Sequence, residues 1–321
     1  MHPAFRPAPH PTPSRRRLTA ALVAAALGVG ATACSTAASS ATGTSSSSDD
    51  PIQVVAAENF WGSLAAQLGG SHVKVTSIID NPNADPHDYE PTAADGRTVA
   101  TARYAVVNGI GYDAWADKLL SVNPSSDRTE LNVGDLVGVE PGGNPHRWYS
   151  PDDVHQVIDR ITADYKKIDP GRASYFDARK KTFEDRTLAT YDGLISSIRK
   201  TYAGTPIGAS ESIVSPLADG LGLKTLTPGT FLDAISEGTD PTAGDKATID
   251  EQIAEKKIKV YVYNSQNSTP DVQSQVEEAK AKGIPVATVT ETLTPAGASF
   301  QEWQVRQLRE IQQALAEATG K

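Results

Sequence analysis

Two histidines stand in loops stiffened by proline, Asp85-Pro86-His87-Asp88-Tyr89-Glu90-Pro91 and Gly142-Gly143-Asn144-Pro145-His146-Arg147-Trp148. Two glutamates follow later in the chain, Glu211 in Ala209-Ser210-Glu211-Ser212 and Glu291 in Thr288-Val289-Thr290-Glu291-Thr292. Imidazoles and carboxylates are the groups that ligate a divalent ion, and they are also the groups of general acid–base work. Their separations of 59, 65 and 80 residues match no short metal signature. Each residue also has a plainer reading. His87 and His146 could be ordinary loop histidines, Glu211 an acid favoured by a helix N-terminus, and Glu291 a solvated loop acid. His72, in the turn Gly69-Gly70-Ser71-His72, reads as solvated. His155, after Asp152-Asp153 on a helix's first turn, reads as solvated or capping. The single cysteine, Cys34, excludes an internal disulfide and any Cys-based zinc site, which leaves His, Asp and Glu as the available ligands.

The elements that would position these side chains alternate between short apolar runs and helical stretches. Residues 52–57, 73–79 and 104–108 read as strands, and a second series lies at 206–209, 259–263 and 285–289. Helical patterns cover 61–68 and 98–102, then about 212–221, 247–257, 270–282 and 298–319. Such alternation predicts an α/β fold of two lobes, each with a parallel-sheet core. Between them, 151–202 carries no strand signal. Pro170 suits a first helical turn, and the 33 residues to Tyr202 would form one long α-helix of about 50 Å joining the lobes. A coiled-coil stalk is the competing reading, but no clean heptad persists for three repeats. His87, Glu211 and Glu291 all fall just past strand ends, where open α/β sheets bind ligands.

The start of the chain has a different character. Arg15-Arg16-Arg17 precedes 16 uncharged residues, Leu18–Ala33, the pattern of an export signal and short for a membrane span. Ala31-Thr32-Ala33-Cys34 then resembles a lipobox whose cysteine receives lipid, and Ser14-Arg15-Arg16 also permits twin-arginine export. The expected organisation is therefore a signal peptide over 1–33, a lipidated Cys34 with a polar tether over 34–50, an N-terminal lobe over 51–150, a linker with the long helix over 151–203, and a C-terminal lobe over 204–321. Without residues 1–33, 26 basic residues face 39 acidic ones, a net charge of −13. That balance argues against nucleic acid or an anionic lipid surface as partners.

The run Ala57-Glu58-Asn59-Phe60-Trp61, the Asp85–Thr92 loop and Asn108-Gly109-Ile110-Gly111-Tyr112-Asp113-Ala114-Trp115 together resemble the bacterial zinc/manganese family of metal-ion solute-binding proteins of ABC importers. Asn144–Tyr149, Ala209-Ser210-Glu211 with Gly220–Leu223, and Val260–Asn264 with Thr290-Glu291 resemble its later ligand segments, so the likeness runs over about 51–320. The chain departs from many members in carrying Ser150 where they have Asp, and Glu rather than Asp at 291.

The resemblance implies one divalent ion held by His87 and His146 from the first lobe and by Glu211 and Glu291 from the second. This N₂O₂ set of formal charge −2 favours Mn²⁺ narrowly over Zn²⁺, with Fe²⁺ behind both, because carboxylate oxygens shift preference toward manganese. It further implies a monomer anchored outside the cytoplasmic membrane through Cys34, serving an ABC permease and its ATPase, with small lobe tilts rather than wide closure. The alternatives are a metallohydrolase with an open coordination position, a metal-stabilised surface adhesin, and an organic-ligand carrier. The sequence carries no His-Glu-x-x-His motif and no nucleophile elbow to support the hydrolase.

Overall fold

The computed structural model describes residues 50–321 apart from Asn83, Asp85, His87 and Asp88. The signal segment, Cys34 and the tether up to residue 49 lie outside the described residues.

The first series builds β1 (Ile52–Glu58), α1 (Asn59–Gly69), β2 (Val73–Ile79), α2 (Ala93–Thr101), β3 (Tyr104–Val107), α3 (Ala114–Val122), β4 (Thr129–Asn132) and α4 (Val133–Val137). Its strands form one parallel sheet in the order β2-β1-β3-β4. β1 is apolar almost throughout because a central parallel strand is covered on both faces. Ile52, Val54 and Ala56 face the larger core, whereas Val55 and Ala57 meet Val99, Ala102, Trp115, Ala116 and Leu120 on the other side.

The second series builds β5 (Pro206–Ala209), α8 (Val214–Leu221), β6 (Lys224–Thr225), α9 (Gly229–Ser236), α10 (Ala243–Ala254), β7 (Val260–Asn264), α11 (Pro270–Ala281), β8 (Val286–Val289) and α12 (Phe300–Thr319). Its sheet repeats the plan, again fully parallel, in the order β6-β5-β7-β8. The six strands expected from sequence are present within a residue or two of their predicted bounds, together with the two edge strands β4 and β6.

Three helices join the series: α5 (Pro151–Ile168), α6 (Ala173–Thr182) and α7 (Ala189–Tyr202). Ser150 caps α5 by accepting from the Asp153 amide, Pro151 occupies its first turn, and Lys166 and Lys167 complement its C-terminal end. The uninterrupted helix expected over 170–202 is corrected here. Pro170–Arg172 form a 3₁₀ turn, and a π-helical turn over Phe183–Thr187 separates α6 from α7, closed by Leu188 N donating to Phe183 O at 2.8 Å.

The apolar spacing explains the interruption. Phe183 and Leu188 are both buried yet five residues apart, which in a straight α-helix would set them about 140° apart. The wider turn absorbs one residue and brings both onto the packed face. α6 packs against α5 and α1 beside the first sheet, and α7 packs against α12 and α8 beside the second. One apolar cluster runs through both series, from Ile52 and Trp61 through Tyr165 and Tyr191 to Val262 and Leu315.

Two histidines read as solvated have partners. His155 Nε2 lies 3.0 Å from Asp192 Oδ1, joining α5 to α7 rather than capping a helix, and His72 packs edge-on to Tyr175 with ring centres 4.5 Å apart.

Candidate metal site at the carboxyl ends of both sheets

His146 is fixed by its own loop. Asn144 Oδ1 accepts the His146 backbone N–H at 3.0 Å and lies 2.9 Å from the ring Nδ1, while Asn144 Nδ2 donates to Ser212 O at 2.7 Å. An amide oxygen can only accept, so a hydrogen bond to it requires the proton on Nδ1 and turns Nε2 toward the carboxylates. Nε2 sits 3.6 Å from Glu291 Oε1. The ring is 1 % exposed and packs edge-on to Trp148 at 5.2 Å, itself stacked on Phe60 at 4.0 Å. Asn108, at the exit of β3, accepts from Trp61 Nε1 at 3.1 Å and donates to Pro145 O at 2.9 Å, so the first turn of α1 and the end of β3 hold the histidine loop from behind.

The motif after β3 makes a tight loop. Gly109, Ile110 and Gly111 all take positive φ, of 73°, 61° and 86°. At Gly109 an added Cβ would stand 2.1 Å from Asn132 Oδ1. Ile110 is a rare bulky residue in this region and carries a strain of about 1–2 kcal/mol. Asp113 closes the loop by accepting from Asn108 N at 2.7 Å and Gly109 N at 2.8 Å. The loop presents Tyr112, whose hydroxyl donates to Glu291 Oε1 at 3.1 Å. Burial first, and then the Glu291 charge, raises the Tyr112 pKa well above its ordinary value, so the hydroxyl keeps its proton.

Glu211 follows β5 and is 1 % exposed. Its Oε1 accepts from Asn264 Nδ2 at 2.5 Å and its Oε2 from Asn267 Nδ2 at 2.6 Å, so these amides hold the carboxylate. Glu291 follows β8 with a side chain 12 % exposed, hence not a solvated loop acid. Its Oε2 lies 3.4 Å from Asn264 Nδ2, and its backbone N–H donates to Gln266 Oε1 at 2.6 Å. The preceding Thr290 is pinned from both lobes. Tyr149 Oη donates to its carbonyl at 2.8 Å, and Trp303 Nε1 donates to its hydroxyl at 2.7 Å.

His146, Glu211 and Glu291 therefore converge between the ends of the two sheets. His87 lies outside the described residues, as does Cys34. On either side of His87, Pro86 O accepts from Trp115 Nε1 at 3.1 Å and Tyr89 Oη donates to Asp95 at 3.0 Å. Among the described residues alone, no three His, Cys, Asp or Glu side chains form a complete metal cluster.

Two buried acids stand behind the site. Glu58, at the end of β1, is fully buried, with its carboxyl against that of Asp113. Burial, then the nearby Asp113, raises its pKa well above the carboxylate range. Burial likewise raises Asp113 to about 6, against the opposing pull of the Asn108 and Gly109 amides. Sequence reasoning missed the roles of Tyr112, Asn144 and the amides of Asn264, Gln266 and Asn267. The signal available for the last three was the run Asn264-Ser265-Gln266-Asn267 directly after a strand.

Two parallel α/β lobes meeting over an imidazole and two carboxylates define a two-lobed solute-binding architecture. The chain belongs to the ZnuA family, "Zinc-uptake complex component A periplasmic", which matches residues 54–314. This is a family of solute-binding proteins, not of enzymes. The chain is 26% identical over 250 residues to the manganese-binding lipoprotein MntA of Bacillus subtilis, covering 74% of this chain and 78% of that protein. It is 25% identical over 279 residues to the zinc-binding lipoprotein AdcA of Streptococcus pneumoniae, covering 77% of this chain and 52% of AdcA, about half its length. The Mn-bound periplasmic metal-binding protein of Candidatus Liberibacter asiaticus shares the fold, with a TM-score of 0.69 and 18% identity over 83% of this chain and all of that one.

Proposed function

We propose that the protein captures one divalent transition-metal ion, Mn²⁺ ahead of Zn²⁺, as cargo for an ABC importer, using His87, His146, Glu211 and Glu291. The observation that carries this reading is the His146 ring, held by Asn144 with its Nε2 3.6 Å from Glu291 Oε1. A cation between an imidazole and two carboxylates relieves their repulsion and replaces its own water with fixed donors. Two oxygen ligands against two nitrogens support manganese, although the ordinary affinity order makes zinc the tighter ligand in isolation.

In this reading the lobes span about 51–150 and 204–321, with 151–203 as the linker. Cys34 is the lipid anchor that holds the exported monomer at the outer face of the membrane beside the permease and its ATPase. The apolar cluster shared by both series resists wide opening, so the ion enters and leaves by small tilts and loop movement. The test is calorimetric titration of the wild type, His87→Ala and Glu211→Ala with Mn²⁺ and Zn²⁺. The wild type binds one ion, and each variant loses most of its affinity; undiminished 1:1 binding in a variant removes that residue from the site.

A further inference from the structure

The exit of β7 carries the amide groups that meet both carboxylates. Asn264 Oδ1 accepts the Gln266 backbone N–H at 2.9 Å, which turns its NH₂ toward the acids. That one NH₂ group reaches Glu211 Oε1 at 2.5 Å and Glu291 Oε2 at 3.4 Å. Asn264 is itself fully buried, with its backbone N–H tied to Ser210 Oγ at 3.0 Å, so the amide sits on a rigid strand end between the exits of β5 and β8. Asn267 takes the second oxygen of Glu211 and also donates to Ile235 O at 3.0 Å. Gln266 completes the loop, its oxygen accepting from the Glu291 and Thr292 amides at 2.6 and 2.9 Å.

Neutral dipoles do something here that a lysine or arginine would not. Two carboxylates brought together repel one another, and a cationic side chain would hold them only by occupying the charge that the cargo needs. An amide holds both in place and leaves their full negative charge available. We propose that Asn264 is the positioning residue of the carboxylate pair, with Asn267 as its support, holding Glu211 and Glu291 toward one another before the ion arrives. The inference rests on the assignment of both glutamates as ligands.

The experiment compares the wild type, Asn264→Leu and Asn267→Ala by competition titration with Mn²⁺ and by the visible d–d spectrum of bound Co²⁺. Both variants are expected to bind one ion about 10- to 100-fold more weakly, the range typical for groups that orient metal ligands. The Co²⁺ band of Asn264→Leu is expected to shift in position or intensity, because the carboxylates meet the ion in a different arrangement. A purely structural role would lower the melting temperature and leave the band of the bound fraction unchanged. Affinities within threefold of the wild type with an unaltered Co²⁺ band overturn the proposal. Should Asn264→Leu fail to fold, Asn267→Ala decides, since its side chain is only half-buried and its backbone stays as it is. A wild type that takes up no Mn²⁺ or Co²⁺ refutes the ligand assignment itself, a different result from variants that match a binding wild type.

Discussion

Replacing Asn144 with alanine removes three contacts at once: the bond to the His146 backbone, the bond to Nδ1 and the bond to Ser212 O. At about 1 kcal/mol net for each, the metal-free protein should lose up to about 3 kcal/mol in urea denaturation. Freed from Asn144, the ring can turn and exchange tautomers, so Mn²⁺ binding should weaken by about 10- to 100-fold. Asn144→Asp separates the two effects. The carboxylate still accepts from the His146 amide and from Nδ1–H but cannot donate to Ser212 O, so stability should fall while affinity stays near that of the wild type. The assays are urea melts of metal-free protein and chelator-competition titration of Mn²⁺. An alanine variant that binds within threefold of the wild type, or an aspartate variant as weak as the alanine one, would refute the argument that Asn144 sets the ring.

Burial makes the site's stability depend on pH with a defined sign. Asp113 titrates at about 6 in the folded chain against 3.8 for the free side chain, so its contribution is fully present below about pH 4 and lost as pH rises through 6. Between pH 5 and 7.5 that is about 1.4 kcal/mol, and Asp113→Asn should flatten the urea-midpoint profile of metal-free protein by a comparable amount; an unchanged profile contradicts the assignment. Cys34→Ser should release the protein from the membrane fraction and abolish a lipid mass increment on the mature N-terminal peptide. A variant that stays membrane-bound with that increment would exclude Cys34 as the anchor.

The sequence was most legible where elements are long and covered. β1, β3, β5 and β7 read correctly because parallel strands buried on both faces are apolar runs. β4 escaped notice because Thr129-Glu130-Leu131-Asn132 buries only Leu131, and β6 because it is two residues long. Glu211 and Glu291 could be placed by their position after strands, together with the motif resemblance. The amides that hold them could not, since asparagine and glutamine after a strand look like ordinary turn residues until a fold brings carboxylates to them. The helix over 170–202 was read as continuous because helical periodicity averaged over 33 residues conceals one added residue.

That added residue has its own consequence. A π turn holds one residue more than the α-helical turn it replaces, and between Phe183 and Leu188 it accommodates that residue without rotating either flanking helix off its packed face. A chain one residue shorter there would place the same two side chains four apart, on one face of an ordinary α-helix. The linker can therefore change length by one at this point without disturbing the registration of the two sheets on which it packs. Any gain or loss of a residue elsewhere in α6 or α7 would have to turn Phe176 or Tyr191 away from the interior.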